Sequence, residues 1–114
     1  MTDALTIRRM PGVAVVDITG RIVLGETTKA LRNAVADLLT SDFRKIVLNL
    51  GAVTYVDSAG IGELVYSSTA VSDRGGKLKV ANAPKRVRDL MRLAGIATLF
   101  ESYDDEQSAL RSFG

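Results

Sequence analysis

An α/β domain with a mixed, mostly parallel sheet is what this sequence predicts, and three observations carry the prediction. Strand-like runs, alternating or rich in β-branched residues, occur at 5–9, 13–19, 45–50, 77–81 and 99–103. From residue 26 onward, segments with apolar residues three and four apart separate these runs. The first two runs are joined only by Pro11-Gly12, a turn signal. A hairpin followed by strand–helix alternation implies parallel strands joined by crossover helices, with the first strand as an antiparallel edge. About four helices should pack this sheet, and the whole chain, 1–114, reads as one domain without linker or repeat.

Each element has its own justification. Leu5-Thr6-Ile7-Arg8-Arg9 alternates apolar and polar side chains, as a half-buried strand does. Val13 to Thr19 is β-branched and is expected to end at Gly20. Arg21 to Gly25 is a short connection to a helix over Glu26 to Thr40, whose inner face is Leu31, Val35, Leu38 and Leu39 beside Ala30 and Ala34. Glu26 lies where a negative charge favours the helix dipole, and Ser41-Asp42 closes the segment. Lys45 to Leu50 is nearly continuous apolar sequence, which suits a central strand buried on both faces.

After the Asp57-Ser58 turn, Ile61, Leu64, Val65, Ser68 and Val71 mark a second helix that ends at Asp73-Arg74-Gly75-Gly76. Lys77 to Ala81 alternates, with Leu78 and Val80 expected inside and Lys77 and Lys79 outside. Pro84 suits the first position of a third helix with Val87, Leu90, Met91 and Ala94 inward and Gly95 as its stop. Leu99 to Tyr103 is a short last strand. Asp104 with Gln107 forms a capping pattern for a final helix carrying Ala109, Leu110 and Phe113.

Composition narrows the function classes. The chain has no cysteine and no histidine, which excludes disulfides and thiolate metal sites and removes the commonest general base. The N-terminal residues Met1-Thr2-Asp3-Ala4 lack a signal-peptide pattern and no apolar run reaches bilayer length, so a cytoplasmic protein without membrane insertion is expected. A formal charge of +2 and 5% aromatic residues give no footing for nucleic acid as a partner. The basic third helix (Lys85, Arg86, Arg88, Arg92) reads first as a solvated face, and second as a surface for an acidic protein.

The most distinctive stretch is Thr54-Tyr55-Val56-Asp57-Ser58-Ala59-Gly60-Ile61-Gly62-Glu63, which puts a hydroxyl at a helix start. Ser and Asp are strong N-caps, so one reading of Asp57-Ser58 is a cap and nothing more. A serine hydrolase is opposed by the sequence. The nucleophile elbow needs glycine where Val56 stands, and there is no histidine to act as base. No catalytic or metal-ligating residue is therefore assigned, no cofactor is expected, and the chain is not read as an enzyme. Gly60-Ile61-Gly62 lacks the third glycine of a dinucleotide fingerprint. Those glycines fit either close approach by a partner, or structural needs: backbone dihedrals at Gly60 and helix packing at Gly62.

Together these pieces resemble the anti-sigma factor antagonist family, built on the STAS domain. The resemblance rests on Ile18-Thr19-Gly20, Lys45-Ile46-Val47-Leu48-Asn49-Leu50, Val56-Asp57-Ser58-Ala59-Gly60-Ile61-Gly62, Gly75-Gly76-Lys77-Leu78 and Pro84-Lys85-Arg86-Val87, and it covers nearly the whole chain. It implies a single STAS-type domain and a phosphorylation switch at Ser58. The kinase would be an anti-sigma factor, a serine phosphatase would reverse the step, and only the unmodified form would bind. The implied partner surface comprises Val23, Asp57, Ser58, Ala59, Gly60, Ile61, Gly62 and Glu63, on a monomer or weak dimer.

Ala59 stands where better-known members often carry Ser or Thr, and Val23 where they often carry Asp; both bear on kinase and partner identity. Phosphate would add roughly −1.5 to −2 charge. Helix-start N–H groups could hold it, with Asp57 and Glu63 repelling it. The alternative implied by the resemblance is a non-switching STAS scaffold subunit of a stress-signalling assembly or a lipid-transport complex.

Overall fold

A computed structural model describes residues 5–114, so Met1-Thr2-Asp3-Ala4 and their part of the domain assignment lie outside the described residues. The opening hairpin forms as its pattern predicts. Strand β1 (Leu5–Met10) pairs antiparallel with β2 (Val13–Ile22), and Gly12 supplies the positive φ, 78°, that the turn requires. Helix α1 (Glu26–Thr40), β3 (Lys45–Val56), α2 (Ser58–Asp73), β4 (Lys77–Ala81), α3 (Lys85–Leu93), β5 (Glu101–Tyr103) and α4 (Glu106–Arg111) follow in turn.

The five strands lie in sequential order, β1-β2-β3-β4-β5, and all pairs after the first are parallel. Right-handed crossovers that always step in the same direction put every crossover helix on one face. Accordingly Leu31, Val35 and Leu38 of α1, Leu64 and Val71 of α2, and Val87 and Met91 of α3 bury against Val16, Ile46, Leu48 and Val80. Helix α4 is no crossover and folds onto the opposite face. There Val15, Val47, Ala81 and Ala109 form a smaller core, flanked by Leu110 and Phe113. Strand β3 is thus buried on both faces over its first half, as its apolar sequence implies. No described helix is long and apolar enough to cross a membrane.

Several local expectations give way. Strand β2 does not stop at Gly20: that residue takes φ 83° inside the strand, and the register against β3 shifts on either side of it. A left-handed glycine there makes a bulge rather than an end, and pairing resumes with Arg21 opposite Tyr55 and Ile22 opposite Val56. Strand β3 likewise runs past Leu50 to Val56, since β2 remains beside it. Pro84 is the N-cap of α3, with ψ 158°, so the helix proper begins at Lys85. Ala94, one residue past its end, is exposed; the next buried side chain is Ile96. Leu99 belongs to a 3-10 turn (Ala97–Leu99), which shortens the last strand. Asp105, not Asp104, caps α4 by accepting from the Ser108 N–H at 2.7 Å.

The largest correction is Lys79. Its alternation suggested solvent, but α4 covers that face and leaves the side chain 5% exposed. The ammonium donates to Ser112 Oγ at 2.8 Å and to the Ser112 carbonyl at 3.2 Å, lies 3.1 Å from Glu101, and sits 4.3 Å from the Phe113 ring centre. A buried charge survives only with such partners. Glu101 meets Lys79, Lys77 and the Tyr103 hydroxyl, in that order of effect, and its carboxyl falls from the ordinary 4.5 to about 2.

Because the folded form binds its proton less readily, this group stabilises the fold above about pH 4.5 and loses that contribution as pH falls towards 2. Urea midpoints measured across that window are expected to drop further for the wild type than for Glu101→Gln. Parallel curves would contradict the assignment.

Candidate functional site

The candidate site lies at the C-terminal ends of β2 and β3, where both strands turn into helices. Asp57 organises it. Its N–H donates to the Ile22 carbonyl at 3.2 Å, closing the parallel pair at its last residues. One carboxylate oxygen accepts from the Gly60 N–H at 2.7 Å, capping α2. The other accepts from the Leu24 N–H at 3.1 Å, in the loop between β2 and α1. Amide donation, first from Gly60 and then from Leu24, holds the Asp57 carboxyl below the usual carboxylate range.

Ser58 is the first residue of α2, as the turn predicted, and it is exposed. Ala59 is half-buried beside it, and Ile61 is half-buried against the main core. Val23 lies in the β2–α1 loop that Asp57 pins through Leu24, so loop and serine are joined by one carboxylate. Leu24 itself is 78% exposed. Its exposure escaped the sequence reading, although an apolar residue beside Gly25 in a short connection was the available signal.

Neither glycine fills the structural role expected of it. Gly60 is helical, so no special dihedral demands it. A methyl group there would overlap the Ile22 carbonyl oxygen and crowd Val56 Cγ1 at 2.8 Å. Gly60 is what allows α2 to start this close to β2. Gly62 is exposed and would meet nothing within 4 Å, so packing within the chain does not require it.

Glu63 turns away from the serine, about 140° round the helix by residue count. Its carboxylate is 6% exposed and pairs with Arg32 of α1 at 3.0 Å, with Ser67 Oγ at 3.5 Å. Arg32 also covers the Tyr66 ring at 4.1 Å. Glu63 therefore clamps α2 to α1, and its outward-facing partner is Arg32. Leu24, Lys29, Arg32, Ala59 and Gly62 border an open groove next to the serine. Neither Lys29 nor Arg32 carried a sequence signal, because their importance comes from α1 packing beside α2.

A sequentially ordered mixed sheet with a capped serine turn at its parallel-strand ends defines the class of domain. The STAS domain model matches residues 4–109, and the chain belongs to that family. Among sequence relatives, the chain is 29% identical over 65 residues to the anti-sigma F factor antagonist of Paenibacillus polymyxa, covering 57% of this chain and 56% of that one. It is 22% identical over 109 residues to BtrV of Bordetella bronchiseptica, a candidate anti-sigma factor antagonist, covering 96% and 93%. Among solved structures, a candidate anti-sigma factor antagonist of Thermotoga maritima superposes with TM-score 0.85 at 20% identity, covering 95% and 92%. The Bacillus anti-sigma factor antagonist SpoIIAA aligns in unphosphorylated form with TM-score 0.74 at 13% identity, covering 96% of each chain. Its phosphorylated form gives 0.75 at 14%, covering 97% and 100%.

The glycine geometry can be tested directly. Gly60→Ala is expected to cost about 1–3 kcal/mol, because the overlapped atom is backbone and cannot swing aside. Gly62→Ala should instead be neutral or stabilising by up to about 1 kcal/mol, since it meets open space in a helix. Chemical denaturation of both variants decides it, and equal losses would refute the close-approach account.

Proposed function

We propose that this chain is an anti-sigma factor antagonist switched at Ser58. The observation that carries the reading is an exposed serine hydroxyl at the start of α2, beside a pinned loop that presents Leu24. Membership of the STAS family and the named relatives support it. In this reading the unmodified chain binds an anti-sigma factor across the Ser58 turn and so releases a sigma factor. The anti-sigma factor is also a serine kinase. Ser58 Oγ attacks the γ-phosphorus of its ATP and gives up its proton, and ADP leaves. A serine phosphatase later hydrolyses the ester. The chain acts in the cytoplasm as a monomer or weak dimer, as a binding protein rather than an enzyme.

The physical basis is local charge. A phosphate on Ser58 would have to be buried under any partner seated on the turn, and an unpaired charge in an interface costs about 2–5 kcal/mol. Val23 and Ala59, which replace the acidic and hydroxylic residues frequent in the family, make the partner surface here less polar, and Leu24 adds to it.

Isothermal titration against the anti-sigma kinase should find Ser58→Ala within about threefold of wild type, and Ser58→Asp weakened roughly thirtyfold or more. Phosphosite mass spectrometry after incubation with that kinase and ATP should place the modification on Ser58. Equal binding by wild type and Ser58→Asp would reject the switch and favour a non-switching scaffold.

A further inference from the structure

Helix α3 carries a surface that the Ser58 turn does not use. Its nine residues include Lys85, Arg86, Arg88 and Arg92 against Asp89 alone, a net charge of 4 − 1 = +3. The whole chain carries +2, so the remainder sums to 2 − 3 = −1. The net positive charge of this protein therefore resides on one short helix. Asp89 is already engaged by Lys85 and Arg92, each at 2.8 Å. Among the described residues, no carboxylate lies within salt-bridge distance of Arg86 or Arg88, and both are exposed.

Apolar exposure coincides with this charge. Val87 and Met91 anchor the helix to the core, whereas Leu93 at its end is 85% exposed. The 3-10 turn packed against α3 adds Leu99, 57% exposed. Lys85, Arg86, Asp89, Leu90 and Leu93 line one shallow groove. They fall at helical spacing, so the groove follows a single stripe of the helix surface.

We infer that this stripe is a second docking surface, for an acidic amphipathic segment of a protein partner. The partner's carboxylates would meet Arg86, which lines the groove and has no carboxylate of its own among the described residues, while its apolar side chains cover Leu90 and Leu93. Charge complementarity selects an acidic occupant, and the two leucines select one that also brings apolar area. The inference stands apart from the function proposed for Ser58, since none of these residues borders the groove beside the serine.

The test is an NMR titration of the full chain with a short synthetic peptide carrying glutamates on one helical face and leucines on the other. Shifts should concentrate at residues 85–93 and at Leu99. Arg86→Glu should weaken binding about tenfold or more, and raising salt from about 50 to about 500 mM should weaken it in the wild type. Leu93→Ser should weaken binding to this peptide but leave a polyglutamate control unchanged. The substituted side chains are exposed, so thermal melts should match the wild type and exclude misfolding. Equal affinity for polyglutamate would overturn the apolar half of the inference. Absence of shifts, or stronger binding to phosphatidylglycerol vesicles than to the peptide, would overturn it entirely.

Discussion

One carboxylate joins the parts of this molecule that matter for its site. Asp57 accepts from the start of α2 on one oxygen and from the β2–α1 loop on the other, while its own N–H closes the β2–β3 pair. A loop of the length Val23 to Gly25 would ordinarily be among the more mobile parts of a domain. Here its backbone is fastened to the residue next to Ser58. Any partner that reads the serine therefore also meets Leu24 in a fixed relation to it. Two segments more than thirty positions apart in sequence become one surface through a single side chain.

That fastening needs α2 to begin very close to β2, and Gly60 provides the room. The sheet supplies the rest. Sequential strand order sends every crossover helix to the same face, so the ends of β2 and β3 open beside each other and beside α1 and α2. Glu63 then locks α2 to α1 through Arg32, which in turn packs on Tyr66. Helix starts, loop and groove are held by contacts within the chain, so a partner would meet a preformed surface and pay little ordering entropy.

The sequence disclosed the elements far better than their neighbours. Periodicity located every helix and strand, and the hairpin followed by alternation was enough for the mixed sheet. Where local pattern misled, a tertiary neighbour was the cause. Lys79 alternates as a solvent-facing residue should, yet α4 roofs that face with Phe113 and Ser112, which alternation along one strand cannot reveal. Gly20 looked like a terminator because a lone glycine looks the same whether it ends a strand or bulges it; continued pairing to β3 made the difference. At the site, Asp57 and Ser58 were legible as a helix start. Leu24, Lys29 and Arg32 were not, because only the packing of α1 beside α2 brings them to the serine.

The cap also bears on how a charged serine could act. A helix start ordinarily offers a phosphate several free N–H groups, and the turn alone suggested that Ser58 could use them. In this fold two of them are engaged. Gly60 N–H serves the Asp57 side chain at 2.7 Å, and Asp57 N–H serves the Ile22 carbonyl at 3.2 Å. The Asp57 carboxylate already stands where an anion would sit. A phosphate on Ser58 would thus lie beside a like charge, at a helix start whose cap Asp57 already fills. It would remain on the exposed rim of the turn, where it disturbs the fold least and an incoming partner most. The same Asp57 that places the serine at the helix start would oppose a second negative charge there, so a phosphate on Ser58 would act on a partner more than on the fold.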